Sequence, residues 1–306
     1  MLSLIARMLS SLAPGRRAIG SPGRASSIAL PGAVALTLLG LFVSTHGARP
    51  APAKAAGVSG PTVPRVLYRV VGCVSSGRSA YSHGPERREV AIGFDDGPAR
   101  DTGAFLAMLE RAKANATFFM IGEQVTPSYR ATLLRALRDG DALGDHTFSH
   151  PYLTRSGQVY SELSWTLRSI RSLSGYTPCV FRPPYGAYSP SIVQTARSLG
   201  LATVLWNVDP RDWARPGTAA IEHQILAQVH RGSIIISHDG GGPRGETLAA
   251  YPSVIAALRA RGYRIVTIPE LLGFRPVYVP CILLCEGIGV PRRQVPRNAI
   301  IRQAGK

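Results

Sequence analysis

Two carboxylates stand side by side at the end of an apolar run in EVAIGFDDGPARDTG, residues 89 to 103. A charged group at the end of a buried strand is costly to desolvate unless a cation meets it, so Asp95 and Asp96 need partners. Adjacent side chains on a strand also diverge, so two acids acting together require a sharp turn, which Gly97-Pro98 is placed to supply. A second cluster follows in GDHTFSH, where His146 and His150 stand four residues apart. If that segment is helical, both imidazoles lie on one face and can share a metal ion. Taken alone, two histidines at this spacing more often pack or cap. With acids at an equivalent strand end, two neutral imidazoles and one carboxylate make a site for Zn²⁺ or another divalent ion, with room for water and substrate.

Three further stretches carry reactive groups. FRPPYG holds Arg182, suited to bidentate pairing with a carboxylate or to a surface salt bridge, and two prolines that fix the backbone before Tyr185. WNVDPRDW carries Asp209, Asp212 and Trp213; an indole beside acids is a candidate sugar-stacking wall, although a core Trp is commoner. IIISHDGGG leaves His238 at a strand rim ahead of a glycine run, where a nearby acid would make it a proton donor.

Alternating units must position these groups. Strands are expected at EVAIGF, ATFFMIG, ALGDHT, CVFRPP, LATVLWNVD, SIIISH and YRIVTI. Helical spacing fills the intervals, as in TGAFLAMLERAK, YRATLLRALRDG, YSELSWTLRSIRSLSG, SIVQTARSLG, AAIEHQILAQVH and YPSVIAALRARG. Strict alternation implies a parallel sheet, and about seven such units suit one closed or nearly closed barrel. Every polar cluster above then falls at a strand C-terminal end.

The chain has 306 residues, 45% of them hydrophobic, enough for one large α/β domain with extensions. Its net charge of +17 lies mostly in the two ends, which argues against a nucleic-acid groove. Residues 1–56 hold six basic residues and no acid, and 275–306 hold six more against Glu286. The apolar stretch SSIALPGAVALTLLGLFVST follows an Arg-bearing segment and reads as a signal peptide or membrane anchor. The expected location is therefore secreted or membrane-anchored, facing the cell exterior. Residues 57–87 read as a linker with a docked strand at RVLYRVVGCV, and 273–306 as a basic tail without usable periodicity. Cys73, Cys179, Cys281 and Cys285 allow three complete pairings, and the sequence does not choose among them.

FDDGP, HTFSH, RPPY, DPRDW and ISH, in this order and spacing, resemble the five motifs of the polysaccharide deacetylases. These form carbohydrate esterase family 4, the nodulation-protein-B homology domain. The resemblance covers residues 88–272, with Gly93 where the family usually has Thr and Ile236 where it usually has Leu. It implies a distorted (β/α) barrel and metal-dependent removal of N-acetyl groups from a glycan. By resemblance, Asp96, His146 and His150 bind the metal, Zn²⁺ first and Co²⁺ as the alternative. Asp95 is the general base on the metal-bound water and Arg182 holds it in place. The backbone N–H of Tyr185 helps stabilise the oxyanion, His238 protonates the leaving amine, Asp212 favours its charged form, and Trp213 lines the sugar groove. The expected partner is a cell-wall or other N-acetylated glycan, peptidoglycan first. Membrane contact runs through the N-terminal segment if it stays uncleaved. Chitin oligomers, acetylated xylan, a non-catalytic glycan-binding role and a polyanion-binding surface role are the alternatives.

Overall fold

A computed structural model describes residues 66–76, 80–281, 285 and 289–303. The apolar segment within 1–56 and the first part of the linker lie outside the described residues. Among the described residues, no helix is long and apolar enough to cross a membrane.

The chain runs β1 (Leu67–Val74), β2 (Ala80–Tyr81), β3 (Glu89–Gly97), α1 (Thr102–Ala112), β4 (Thr117–Met120), α2 (Arg130–Asp139) and β5 (Ala142–Asp145). It continues through α3 (Val159–Ser174), β6 (Val180–Phe181), α4 (Pro190–Ser198), β7 (Ala202–Val204), α5 (Thr218–Gln228) and β8 (Ile234–His238). Last come α6 (Gly245–Ala260), β9 (Arg264–Val266), α7 (Ile268–Leu271), β10 (Arg275–Pro280), β11 (Val290–Pro291) and β12 (Ile300–Ile301).

The alternation builds the expected curled parallel sheet, in the order β2-β7-β6-β5-β4-β3-β8. β9 pairs with the first half of β3, and β4 with its second half. Single bridges at Val208–Ile235 and His83–Ser233 bring the β8 edge towards the β7 side, so the barrel is nearly closed. Helices cover its outside with periodic apolar faces. On α1, Thr102, Phe105, Leu106 and Leu109 are buried, the i, i+3, i+4, i+7 pattern of one helical stripe. Phe94 anchors the core, its ring 4.9 Å from Phe105, 5.4 Å from Phe118 and 4.9 Å from Tyr251. The buried Tyr251 hydroxyl is satisfied by Ser237 at 2.8 Å.

Two elements differ from the sequence expectation. α6 starts at Gly245, six residues before the expected stretch at Tyr251, and runs through Pro252. The tail is also not without structure. β1 pairs antiparallel with β10 from Tyr68–Pro280 to Val74–Arg275, and β11 and β12 complete a second sheet of four strands. This small sheet packs at the N-terminal ends of the barrel strands: Thr177, just before β6, bridges Gly72 and donates its N–H to the Val71 carbonyl. A disulfide between Cys73 and Cys179 fixes the contact, and a second joins Cys281 to Cys285.

The Cys73–Cys179 bond spans 106 residues, and closing a loop of that size stabilises by about 2–5 kcal/mol. Cys73→Ser with Cys179→Ser is expected to lower the denaturant midpoint accordingly. Turnover well below the melting transition should be unaltered, because the bond lies at the opposite end from the candidate site. A variant as stable as the parent would contradict this.

Candidate active site

The two adjacent acids face one cleft because the chain turns at Asp96 itself, one residue before the Gly97-Pro98 corner. Asp95 pairs with Phe119 but Gly97 pairs with Met120, so Asp96 is an extra residue bulged out of β3, with φ of +69°. The loop after β8 supports this bulge. Asp239 and Gly240 donate their N–H groups to the Asp95 carbonyl at 3.1 and 3.2 Å. A β-carbon at Gly240 would collide with the Asp96 carbonyl, and one at Gly241 with its carboxylate, so only glycine allows the approach. Arg244 staples that loop, bonding the Gly240 carbonyl at 2.6 Å and the Gly241 carbonyl at 3.0 Å.

His146 and His150 meet without a helix. The segment after β5 is a loop in which Thr147 and His150 both have positive φ, and the two rings lie 5.0 Å apart. Glu162 on α3 holds this strained loop: its carboxylate accepts the Phe148 and Ser149 N–H groups and the Ser149 hydroxyl, each at 2.8 Å. His146 Nε2 and His150 Nε2 approach Asp96 Oδ1 at 3.4 and 3.2 Å.

These three residues fit a divalent metal ion. Asp96, His146 and His150 each offer one ligand atom, all within 4.8 Å of one another. Asp96 Oδ1 is buried with no hydrogen-bond partner, an orphan that a cation would satisfy. His146 Nδ1 lies 2.7 Å from the Arg182 carbonyl, which only accepts, so the proton sits there and Nε2 keeps its lone pair for a metal. His150 Nδ1 is likewise engaged, by the Tyr185 hydroxyl at 3.1 Å. Burial works to raise the Asp96 pKa, but the two imidazoles beside it hold the carboxyl far below its usual range.

Around this centre stand the remaining expected groups. Arg182, fully buried, donates to Asp95 Oδ1 at 2.8 Å and lies over the Phe119 ring at 4.2 Å. Burial draws its pKa down while the Asp95 charge opposes that shift. Its guanidinium fills the space a side chain at Gly93 would take, with Nη1 2.5 Å from where a β-carbon would sit, which accounts for glycine at that position. His238 donates Nδ1–H to Asp212 at 2.7 Å, leaving Nε2 for the cleft. Asp212 is buried and also accepts the His238 N–H and the Thr247 hydroxyl, each at 2.9 Å. Burial lowers the His238 pKa, but the Asp212 hydrogen bond and charge outweigh it and the net shift is upward.

Asp95, Asp96, His146, His150, Tyr185, Trp213 and His238 line one cleft of about 380 Å³, while Arg182 and Asp212 lie behind the lining. Tyr185 has φ of +59° after the two prolines, and its exposed ring stacks on Tyr152 at 5.6 Å. Sequence reasoning missed Trp206 on the lining, Glu162, Arg244 and Asp239. Burial, with the nearby Asp95 and Asp96 charges, pushes Asp239 up to about 7, although a hydrogen bond from Thr102 opposes this. Trp206 and Asp239 sit inside the stretches already singled out; Glu162 reads only as one charge on an amphipathic helix.

A sequence model of the polysaccharide deacetylases matches residues 82–204. The chain is 37% identical over 191 residues to a peptidoglycan-N-acetylglucosamine deacetylase of Bacillus cereus, spanning 61% of this chain and 89% of that one. It is 36% identical over 199 residues to a chitooligosaccharide deacetylase of a Bradyrhizobium species, spanning 60% of this chain and 90% of the relative. Among solved structures, the Bc1960 peptidoglycan N-acetylglucosamine deacetylase superimposes with a TM-score of 0.61 at 30% identity, covering 64% of this chain and 93% of that one. The chain belongs to the polysaccharide deacetylase family.

Proposed function

We propose that the protein hydrolyses the N-acetyl group of N-acetylglucosamine units in peptidoglycan, with Zn²⁺ as the bound ion. The convergence of Asp96, His146 and His150 beside Asp95, with His238 on the same cleft, carries this reading. A divalent ion at such a site lowers the pKa of water towards about 7 and acts as a Lewis acid on the amide carbonyl. Asp95 takes the proton of the attacking water, held for that task by Arg182. The Tyr185 N–H donates to the developing oxyanion. His238, kept protonated by Asp212, gives a proton from Nε2 to the departing amine. Trp213 offers a ring for the sugar face. Peptidoglycan is favoured because both the Bacillus cereus relative and the superimposed Bc1960 structure are peptidoglycan N-acetylglucosamine deacetylases. Chitin oligomers are the second reading, on the match to the Bradyrhizobium enzyme.

The same reading takes the chain outside the cytoplasm, secreted or held by its N-terminal segment. The apolar run before residue 46 and the two disulfides support an oxidising compartment. Cell fractionation should then find the protein in membrane or extracellular fractions; a wholly cytosolic pool would contradict this location.

Acetate released from purified wall, chitin oligomers and acetyl-xylan, assayed in parallel, tests the activity. Chelation is expected to abolish release and added Zn²⁺ or Co²⁺ to restore it. Asp95→Asn should retain metal yet lose about 10²–10⁴-fold in turnover, whereas His146→Ala should lose the metal itself. Full activity in metal-free protein, or near-parent turnover of Asp95→Asn, would overturn the assignment.

Asp212 makes a pH prediction. A raised His238 pKa keeps the imidazolium present to higher pH, so activity should persist until pH passes that pKa and then fall. Asp212→Asn removes the stabilising charge and should move the alkaline limb of kcat/KM to lower pH. An unmoved limb would remove His238 as the proton donor.

A further inference from the structure

Two exposed arginines that the proposed chemistry does not use stand outside the cleft lining, each against an aromatic ring. On the β5–β6 side, Tyr185 lines the cleft and its ring lies 4.8 Å from His150. Tyr152 stacks on Tyr185 at 5.6 Å with an interplanar angle of 19°, and the Arg155 guanidinium lies 4.7 Å from the Tyr152 centroid. This row of exposed groups leads outward from the metal ligands along the rim. On the β7–β8 side, Trp213 lines the cleft and is half exposed, with the Arg211 guanidinium 5.3 Å from its ring. Neither guanidinium pairs with an acid among the described residues, and both residues are exposed. Cation–π contact fixes their placement without neutralising their charge.

Between them the lining is acidic. Asp95 is compensated by Arg182 and Asp96 belongs to the candidate metal site. Asp209 lines the cleft and accepts only the backbone N–H of Arg211 at its carboxylate, with no cationic side-chain partner among the described residues. A carboxylate on the sugar being deacetylated would be repelled there, whereas carboxylates on the sugars either side would meet a cation.

We propose that Arg155 and Arg211 read carboxylates on the sugars flanking the reacting one. The site then selects a neutral N-acetylated sugar within a glycan whose alternate sugars carry an acidic substituent. This deepens the peptidoglycan reading and rests on it. The aromatic rings supply stacking common to any pyranose, and the two guanidinium groups supply the discrimination. Charge at an exposed rim acts over about 8–10 Å at ordinary ionic strength, so the preference should fade with salt.

The test measures kcat/KM on soluble wall glycan strands, on the same strands with carboxylates amidated, and on neutral N-acetylglucosamine oligomers. The readout is the ratio of acidic to neutral values. Arg155→Gln and Arg211→Gln are each expected to lower that ratio about three- to fivefold, the range of an exposed ion pair. The double variant should lower it further, Arg→Lys at either position should restore most of it, and amidation should abolish the preference in the parent enzyme. A ratio unchanged in both Gln variants, with the parent active on wall strands, overturns this proposal and leaves the peptidoglycan reading standing. A parent enzyme that turns over neutral oligomers but not wall strands overturns both.

Discussion

A guanidinium sealed from water costs several kcal/mol to bury unless a carboxylate meets it in good geometry, and removing one partner leaves the other charge stranded. Arg182 and Asp95 make such a pair, at 2.8 Å with almost no exposure on either side. The rest of the centre is referred to it. The guanidinium holds the carboxylate of the proposed base, while the carbonyl of the same residue accepts a hydrogen bond from His146 Nδ1 and aims Nε2 at the candidate metal position. A single residue thereby positions the proposed base through its side chain and a candidate metal ligand through its backbone. The short β6 strand that delivers it, Val180–Phe181, lies between β5 and β7, which places Arg182 in the interior of the sheet.

The partner of each histidine decides its task. His146 faces a carbonyl, which engages Nδ1 and leaves Nε2 turned to the metal position as a ligand. His238 faces the buried Asp212 carboxylate, which favours the imidazolium and makes the same side chain a donor of protons. Both histidines sit at strand C-terminal ends of one sheet, so local secondary structure does not distinguish them. The second partner does, and in each case it comes from a different strand-end loop.

That dependence explains what was legible in the sequence. Strands with β-branched and aromatic runs, and helices with clear stripes such as α1, were readable because their periodicity is local. The reactive residues were readable because their types and their strand-end positions coincide. The bulge at Asp96 was not, since it depends on how β3 meets β4 and on Gly240 and Gly241, far along the chain. The loop geometry of His146 and His150 was hidden for the same reason: four-residue spacing fits a helix, but Glu162 on α3 holds the backbone in another path. The tail escaped notice because its strands are short and β10 and β11 carry proline, which suits the margin of a small sheet.

The pairing of β1 with β10 joins residues near the two ends of the described chain. Apart from the bridge at Thr177, the strand Leu67–Val74 has no ladder partner among the described residues before Arg275. Contacts so distant in sequence are slow to form, because most of the loop entropy is lost before they contribute. During synthesis the barrel strands can therefore assemble while β1 still presents an open edge, the kind of surface on which chains associate wrongly. Closing the small sheet is thus a late event in the life of the chain, completed on a strand that the Cys73–Cys179 bridge can already tie to the barrel.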